Sequence, residues 1–431
     1  MLANPDKQVC RAILEAFGDL RATETAGDVR PFLYDTYLRN VAVDVLGKIG
    51  DKTAAEDIRV MIKSDISCQS LNAVKALVRI CGKGAVNDVK ALILDRSQSN
   101  RDGAMLLLEQ IGAVDEIKAL LNDSNAGIRG KAVESLARVG SKDAVEQIAP
   151  LIKDRDNFIR EKVIEALGVL GSNAATDEIR TILKDKSAAG LHRVAIETLG
   201  KLDDKQSIED IRTFLRSTHL AGIAARTLAK LQDKDSVNPI RLLLQREEMS
   251  PASPDLIRAL GDFGAMEAID EVKYFVKSVN RGTSDVAIRT LGRLGALADV
   301  KSLLTDSSPE IRRIAVETLG IYGDKDATKD IVPFLRDPDA SVRKNAILAL
   351  KDRQDDTAIK SIRMLLNDGN RDVRAIAGIV LVETGEKNVP KRLIYDITQM
   401  LRGDKQYLDR ALLVLRQLGL SDLDIDRIKE Q

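Results

Sequence analysis

One phrase recurs along this chain every 28 to 34 residues: an apolar residue often followed by Arg, Ala four positions on, and Leu-Gly or its equivalent four beyond that. The clearest copies are IREKVIEALGVLG at 159–171 and IRRIAVETLGIYG at 311–323, and VRKNAILALKD at 342–352 is a weaker one. Aligned on its last apolar position, the phrase falls at Phe17, Leu46, Leu77, Leu108, Leu136, Leu167, Leu199, Leu228, Leu260, Leu291, Leu319, Leu350, Leu381 and Leu415. A segment this short cannot bury a core alone, so neighbouring copies must stack, and fourteen of them predict a solenoid. A solenoid offers an extended surface rather than a single catalytic pocket.

Each copy resolves into two helices. In VEQIAPLIKDRDNFIREKVIEALGVLG, Val145, Ile148, Leu151 and Ile152 recur at three- and four-residue steps, as one buried stripe requires. Asp154 to Asn157 interrupt the pattern, and Ile159, Val163, Leu167 and Leu170 then form the stripe of a second helix. Gly168 and Gly171 are expected to end it, since glycine closes a last turn in the left-handed conformation without strain at Cβ. The short gaps make neighbouring helices antiparallel.

Composition narrows the function. The formal net charge is zero, so no global field draws the chain to nucleic acid or anionic lipid. It has no apolar run long enough to span a bilayer, and MLANPDKQVCRAILEAF lacks the layout of a secretion signal. Cys10, Cys68 and Cys81 form no metal spacing and read as reduced thiols of a cytoplasmic protein.

The recurring phrase resembles the HEAT family, in particular the short bacterial variety known as HEAT-like or PBS-lyase repeats, over nearly the whole chain. The resemblance implies an all-α, right-handed superhelical solenoid of stacked antiparallel helix pairs, about fourteen repeats, with the second helix of each pair lining the concave face. The family includes scaffolds, adaptors, bilin lyases, a DNA glycosylase branch and a di-iron hydroxylase. The hydroxylase branch needs repeated His-Glu ligand pairs, whereas His192 and His219, followed by Arg193 and Leu220, are the only histidines and read as surface or half-buried residues. The glycosylase branch relies on aromatic groups and a basic groove, against no Trp and 3% aromatics here. With no phosphate loop or nucleophile set in view, we read no enzyme and no cofactor. The expected function is a protein-binding scaffold or adaptor. A bilin-lyase-like enzyme or chaperone of chromophore attachment is the alternative, and nucleic-acid binding is a third.

Asp95–Arg101, Asp123–Arg129, Asp154–Arg160, Asp306–Arg312, Asp337–Arg343 and Asp368–Arg374 share one spacing. These are expected to be structural: Asp accepts from free amides at the start of the second helix, and Arg bridges to the Asp of the neighbouring repeat.

Two residues before the aligned Leu lies about 160° around the helix from the core stripe, so that side chain should face solvent. Down the array this position runs Glu15, Asp44, Lys75, Leu106, Glu134, Glu165, Glu197, Arg226, Arg258, Arg289, Glu317, Leu348, Ile379 and Leu413. Arg226, Arg258 and Arg289 fall in an irregular middle, about 217–285, where the Asp–Arg pair is missing and REEMSPASPD and KSVNRGTSD interrupt the pattern. From Arg212 to Arg293 there are 13 basic and 10 acidic residues, which allows either an anion-recognising patch or salt bridges to the adjacent acidic block. Leu348, Ile379 and Leu413 are apolar where solvent is expected, as an interface requires. Inward curvature or a capping tail would bury the same three. These six are the candidate partner-binding residues. The repeat array is expected over 1–420, with 421–431 as a tail or cap. Because the chain opens on a helix of the second type, a piece of a longer polypeptide is expected, with a half-unit cap as the alternative.

Overall fold

The computed structural model describes residues 6–64, 70–95, 97–246, 253–353, 355–386, 390–403 and 408–421. Cys68, most of REEMSPASPD and all but the first residue of the expected tail lie outside these. Every regular element among the described residues is helical, as the repeat predicts. The chain forms two compact bodies, Met1–Asp210 and Ile211–Gln431.

In the N-terminal body the second helices include Gln98–Gln110, Ala126–Arg138, Asn157–Leu170 and His192–Lys201, each packed on the next. In the C-terminal body the same layer runs through Ala221–Lys230, Ser253–Phe263, Arg281–Arg293, Pro309–Tyr322, Ala340–Leu350 and Arg371–Glu383. The first helices are shorter and tighten into 3-10 turns. Where Pro31, Pro150 and Pro333 enter, a missing N–H coincides with the change, as in Val145–Ile148 followed by Ala149–Lys153. The aligned Leu positions are buried, as a stripe facing the partner helix must be.

The two glycines of IREKVIEALGVLG do different work. Gly171 has φ +64° and caps the helix Asn157–Leu170, as expected. Gly168 does not end it. A Cβ there would lie 3.1 Å from the Thr198 side chain, so the glycine lets successive second helices approach closely. Gly320 does the same against Ala349, at 2.6 Å.

The Asp–Arg pairs form a ladder. Arg129 donates from Nε and Nη2 to Asp154, each at 3.1 Å, and from Nη1 to the carbonyl of its own Asp123 at 2.9 Å. Arg312 to Asp337, Arg343 to Asp368 and Arg374 to Asp396 repeat this fork at 2.7–2.9 Å. The Asp of each repeated Asp–Arg pair also accepts an amide two residues on, Asp123 from Asn125 and Asp337 from Asp339, both at 2.8 Å. Asn125 and Asp339 then cap the second helix.

One rung is open. Arg160 donates to the Ile152 carbonyl at 3.2 Å and to Asn157 at 3.0 Å, while Asp185, its expected partner, accepts from Ser187. A cleft of about 400 Å³ remains there, lined by Asp154, Arg160, Glu178 and Asp185 among others. The next ladder position is His192, seven residues before Leu199. It is buried rather than half-exposed, with Nε2 3.0 Å from the Asp185 carbonyl.

At Ala221, Ser253 and Ser284 the ladder position holds small residues, and stacking in that region uses other forks. Arg212 reaches Asp233 at 2.7 Å and Arg241 reaches Glu271 at 2.7 Å, both from first helices. These belong to a second ladder that includes Arg59 to Asp88, Lys273 to Asp299 and Lys301 to Asp330.

Candidate functional site

The position two before the aligned Leu has solvent access at every repeat except one. Ile379 is 0% exposed, which corrects its assignment to the partner-binding set. Its helix, Arg371–Glu383, is enclosed on most of its circumference: Val373 and every residue from Ala375 to Val382 are buried. It packs on Ala340–Leu350 and also on the helices Leu393–Gly403 and Leu408–Gln417. The 160° rule assumes a helix covered on one side, and this one is covered on more. Of the other two aliphatics, Leu348 is half-buried and Leu413 is 50% exposed, so the three do not make one continuous exposed stripe.

The arginines fall into two arrangements. Arg226 and Arg258, on successive second helices, share one carboxylate: Asp255 Oδ1 is 3.6 Å from Arg226 Nη1 and 2.8 Å from Arg258 Nη1. Their side chains remain 53% and 45% exposed. Gly222 opposite makes the room, since a Cβ there would come within 2.8 Å of Asp255. Two cations on one carboxylate leave a local excess of positive charge facing water.

Arg289 is different. Its fork closes on Glu317 at 2.8 and 3.0 Å and its Nε on Asp285 at 2.7 Å. The bonds to Glu317, then those to Asp285, hold this guanidinium above its ordinary range despite burial. Arg313 also reaches Glu317, at 3.2 Å. Arg289 therefore ties the helix Arg281–Arg293 to Pro309–Tyr322.

The acidic block of the N-terminal body is likewise balanced. Glu134 accepts from Lys162 at 2.9 Å and Lys131 at 3.0 Å, and Lys162 also reaches Glu165. Burial alone would raise the Glu134 carboxyl, but the two lysines outweigh it and hold it below the usual range. Among the described residues, no group of three or more His, Cys, Asp or Glu is arranged to hold a metal ion, and no helix is long and apolar enough to cross a membrane.

Stacked two-helix repeats with polar ladders define a helical-repeat solenoid protein. The HEAT-repeat model matches residues 114–196 and 297–382, and those two stretches are HEAT repeats. No curated protein sequence matches it significantly. Among solved structures, importin beta is similar at 12% identity and a TM-score of 0.51, over 96% of this chain and 72% of that one. The complex of CpcE and CpcF of phycocyanin lyase from Nostoc sp. PCC7120 is similar at 20% identity and 0.29, over 58% and 92%. Human deoxyhypusine hydroxylase is similar at 19% and 0.26, over 57% and 96%. At these identities the likeness is one of fold, and it is the importin beta match that carries it.

Proposed function

We propose that this protein is a non-enzymatic scaffold or adaptor that binds a protein partner on the solvent-facing side of its second helices, in the C-terminal body. The observation that carries this reading is the Arg226–Asp255–Arg258 cluster. The fold has no need of two exposed guanidiniums on one carboxylate, since the ladders already provide the stacking. Arg forks suit carboxylates and dominate interface energetics beyond their number. Leu348 and Leu413 are separate apolar contacts on the same line, and Arg289 holds the helices between in register. The free thiols Cys10 and Cys81 suit a reducing compartment, and we place the protein in the cytoplasm.

The test is a photo-crosslinking residue placed at Arg258 in the full chain, with captured partners identified by mass spectrometry. The double variant Arg226→Glu, Arg258→Glu is then compared for binding to the captured partner. Association should slow and lose salt sensitivity, because exposed charge acts mainly on encounter. A variant that stays folded and binds at the original rate would overturn the reading.

A further inference from the structure

Arg226 and Arg258 leave most of their hydrogen-bond donors unused, and the pattern narrows what can bind them. Arg226 Nη1 stands 3.6 Å from Asp255 Oδ1, too far for a hydrogen bond, and its N–H groups have no acceptor among the described residues. Arg258 donates once, from Nη1 to that same oxygen at 2.8 Å. Lys230 follows Arg226 by one helical turn and so shares its face. It is exposed and makes no ion pair among the described residues.

The neighbouring acids are engaged elsewhere. Asp262 accepts from Arg293, while Asp285 and Glu317 close on Arg289. Among the described residues, Asp255 is therefore the one carboxylate within ion-pair distance of Arg226 or Arg258. Arg226, Lys230 and Arg258 together set three cations against it.

Such a patch selects by charge and by geometry. A partner carboxylate brings one negative charge and a single fork, which Asp255 already supplies. A phosphoryl monoester carries about −1.5 to −2 at neutral pH and three acceptor oxygens. It can take one fork from Arg226 and another from Arg258, and Lys230 answers its further charge. Because both guanidiniums converge on one oxygen of Asp255, they are close enough to share a single phosphoryl group.

We propose that the Arg226–Arg258 face recognises a phosphorylated side chain of the protein partner, so that phosphorylation of the partner switches its binding on. The inference rests on the scaffold reading above and adds the chemistry of the contact.

The full chain is offered a peptide library with phosphoserine, phosphothreonine or phosphotyrosine at a fixed centre between random residues. Matching libraries hold the unphosphorylated residue or Glu there. A phosphopeptide of the enriched sequence should bind at least about tenfold more tightly than its unphosphorylated and Glu counterparts. Arg226→Lys with Arg258→Lys keeps the charge and loses the forks, so most of that preference should vanish. Lys325→Glu, at an exposed position elsewhere in the same body, should leave it unchanged. Circular dichroism confirms that each variant is folded, and either single Lys variant serves if the pair unfolds. The proposal fails if the libraries bind alike, or if the Lys variants keep the full preference, which would mark simple charge attraction. It also fails if inorganic phosphate binds as tightly as the phosphopeptide, which would mark a small-anion site. Equal retention on phosphatidylcholine vesicles containing phosphatidylinositol phosphate would transfer the site to lipid and overturn it too. Phosphatase treatment of the partner captured at Arg258 separates this inference from the reading beneath it. Loss of binding supports both. Binding that survives the phosphatase but is lost in Arg226→Glu, Arg258→Glu overturns the phosphoryl contact and leaves the scaffold reading standing. Binding that survives both treatments overturns both.

Discussion

Arg312 and Asp337, in successive repeats, meet side on: Nε reaches one carboxylate oxygen at 2.8 Å and Nη2 the other at 2.9 Å. Arg312 Nη1 meanwhile holds the carbonyls of Asp306 and Ser307 at 2.9 and 3.1 Å. One side chain thus fixes its own helix start and the next repeat together. Arg312→Ala strands a buried carboxylate and should cost about 3–5 kcal/mol, the usual result of breaking a buried pair from one side. Arg160→Ala, at the open rung, removes only local bonds and should cost about 1 kcal/mol. Urea unfolding of the two variants measures the difference, and equal losses would mean that the forks contribute little.

The same carboxylates predict an acid response. Burial alone would raise the Asp337 carboxyl, but the Arg312 fork and the Asp339 amide outweigh it, leaving it below the ordinary carboxylate range. Asp306 is lowered chiefly by the Ser308 amide, and Asp339 chiefly by the Ser341 hydroxyl. A depressed carboxyl contributes stability that is fully present above its unfolded pKa, about 4, and lost as pH falls through the folded value. Stability should therefore hold from pH 7 to about 5 and drop below about 4. In Arg312→Ala the drop should be shallower, because Asp337 then has less to lose. Urea midpoints at pH 7, 5 and 3.5 check both statements.

What the sequence disclosed follows from what is periodic within one repeat. The stripe ending at Leu167 or Leu319 and the Asp–Arg spacing are local patterns, so the helix pairs and most ladder forks were legible. The first-helix ladder was missed, although a signal exists: Asp57-Ile58-Arg59, Glu271-Val272-Lys273 and Asp299-Val300-Lys301 set an acid and a base around a buried apolar residue. Glu271 accepts from the preceding repeat while Lys273 donates to the next. Its partners lie some thirty residues apart, and only the stacking geometry brings them together. The open rung at Arg160 and the enclosure of Ile379 depend on neighbouring helices in the same way.

Close approach of second helices makes glycine position a measurable quantity. A Cβ at Gly320 would come within 2.6 Å of Ala349 Cβ and 2.9 Å of its Cα. Gly320→Ala must push the helices Pro309–Tyr322 and Ala340–Leu350 apart, at about 1–3 kcal/mol, offset by about 1 kcal/mol of helix propensity. Gly27, in the helix Ala26–Val29, has open space around it, and Gly27→Ala should be neutral or slightly stabilising. Thermal midpoints of the two variants should move in opposite directions or differ by several degrees. Equal midpoints would show that the helices can part without strain.

Ile379 and Leu413 hold the same position in their repeats, and the fold gives them opposite fates. Ile379→Ser places a hydroxyl in a fully buried apolar site, enclosed by the helices Ala340–Leu350, Leu393–Gly403 and Leu408–Gln417. Lost burial, the cavity and an unpaired hydroxyl together should cost about 3–5 kcal/mol. Leu413→Ser removes a half-exposed side chain and should cost about 1 kcal/mol or less. Amide exchange locates the effect: in Ile379→Ser, protection should fall across 371–383 and 393–403, with little change in Leu413→Ser. The partner-binding role is then divided in the same way. Leu413→Ser should hasten dissociation of a partner captured on the second-helix face, since apolar contacts act on residence time. If Ile379→Ser instead kept full stability and full protection, the helix Arg371–Glu383 would be accessible on that side. The aliphatic line Leu348, Ile379, Leu413 would then stand as one surface.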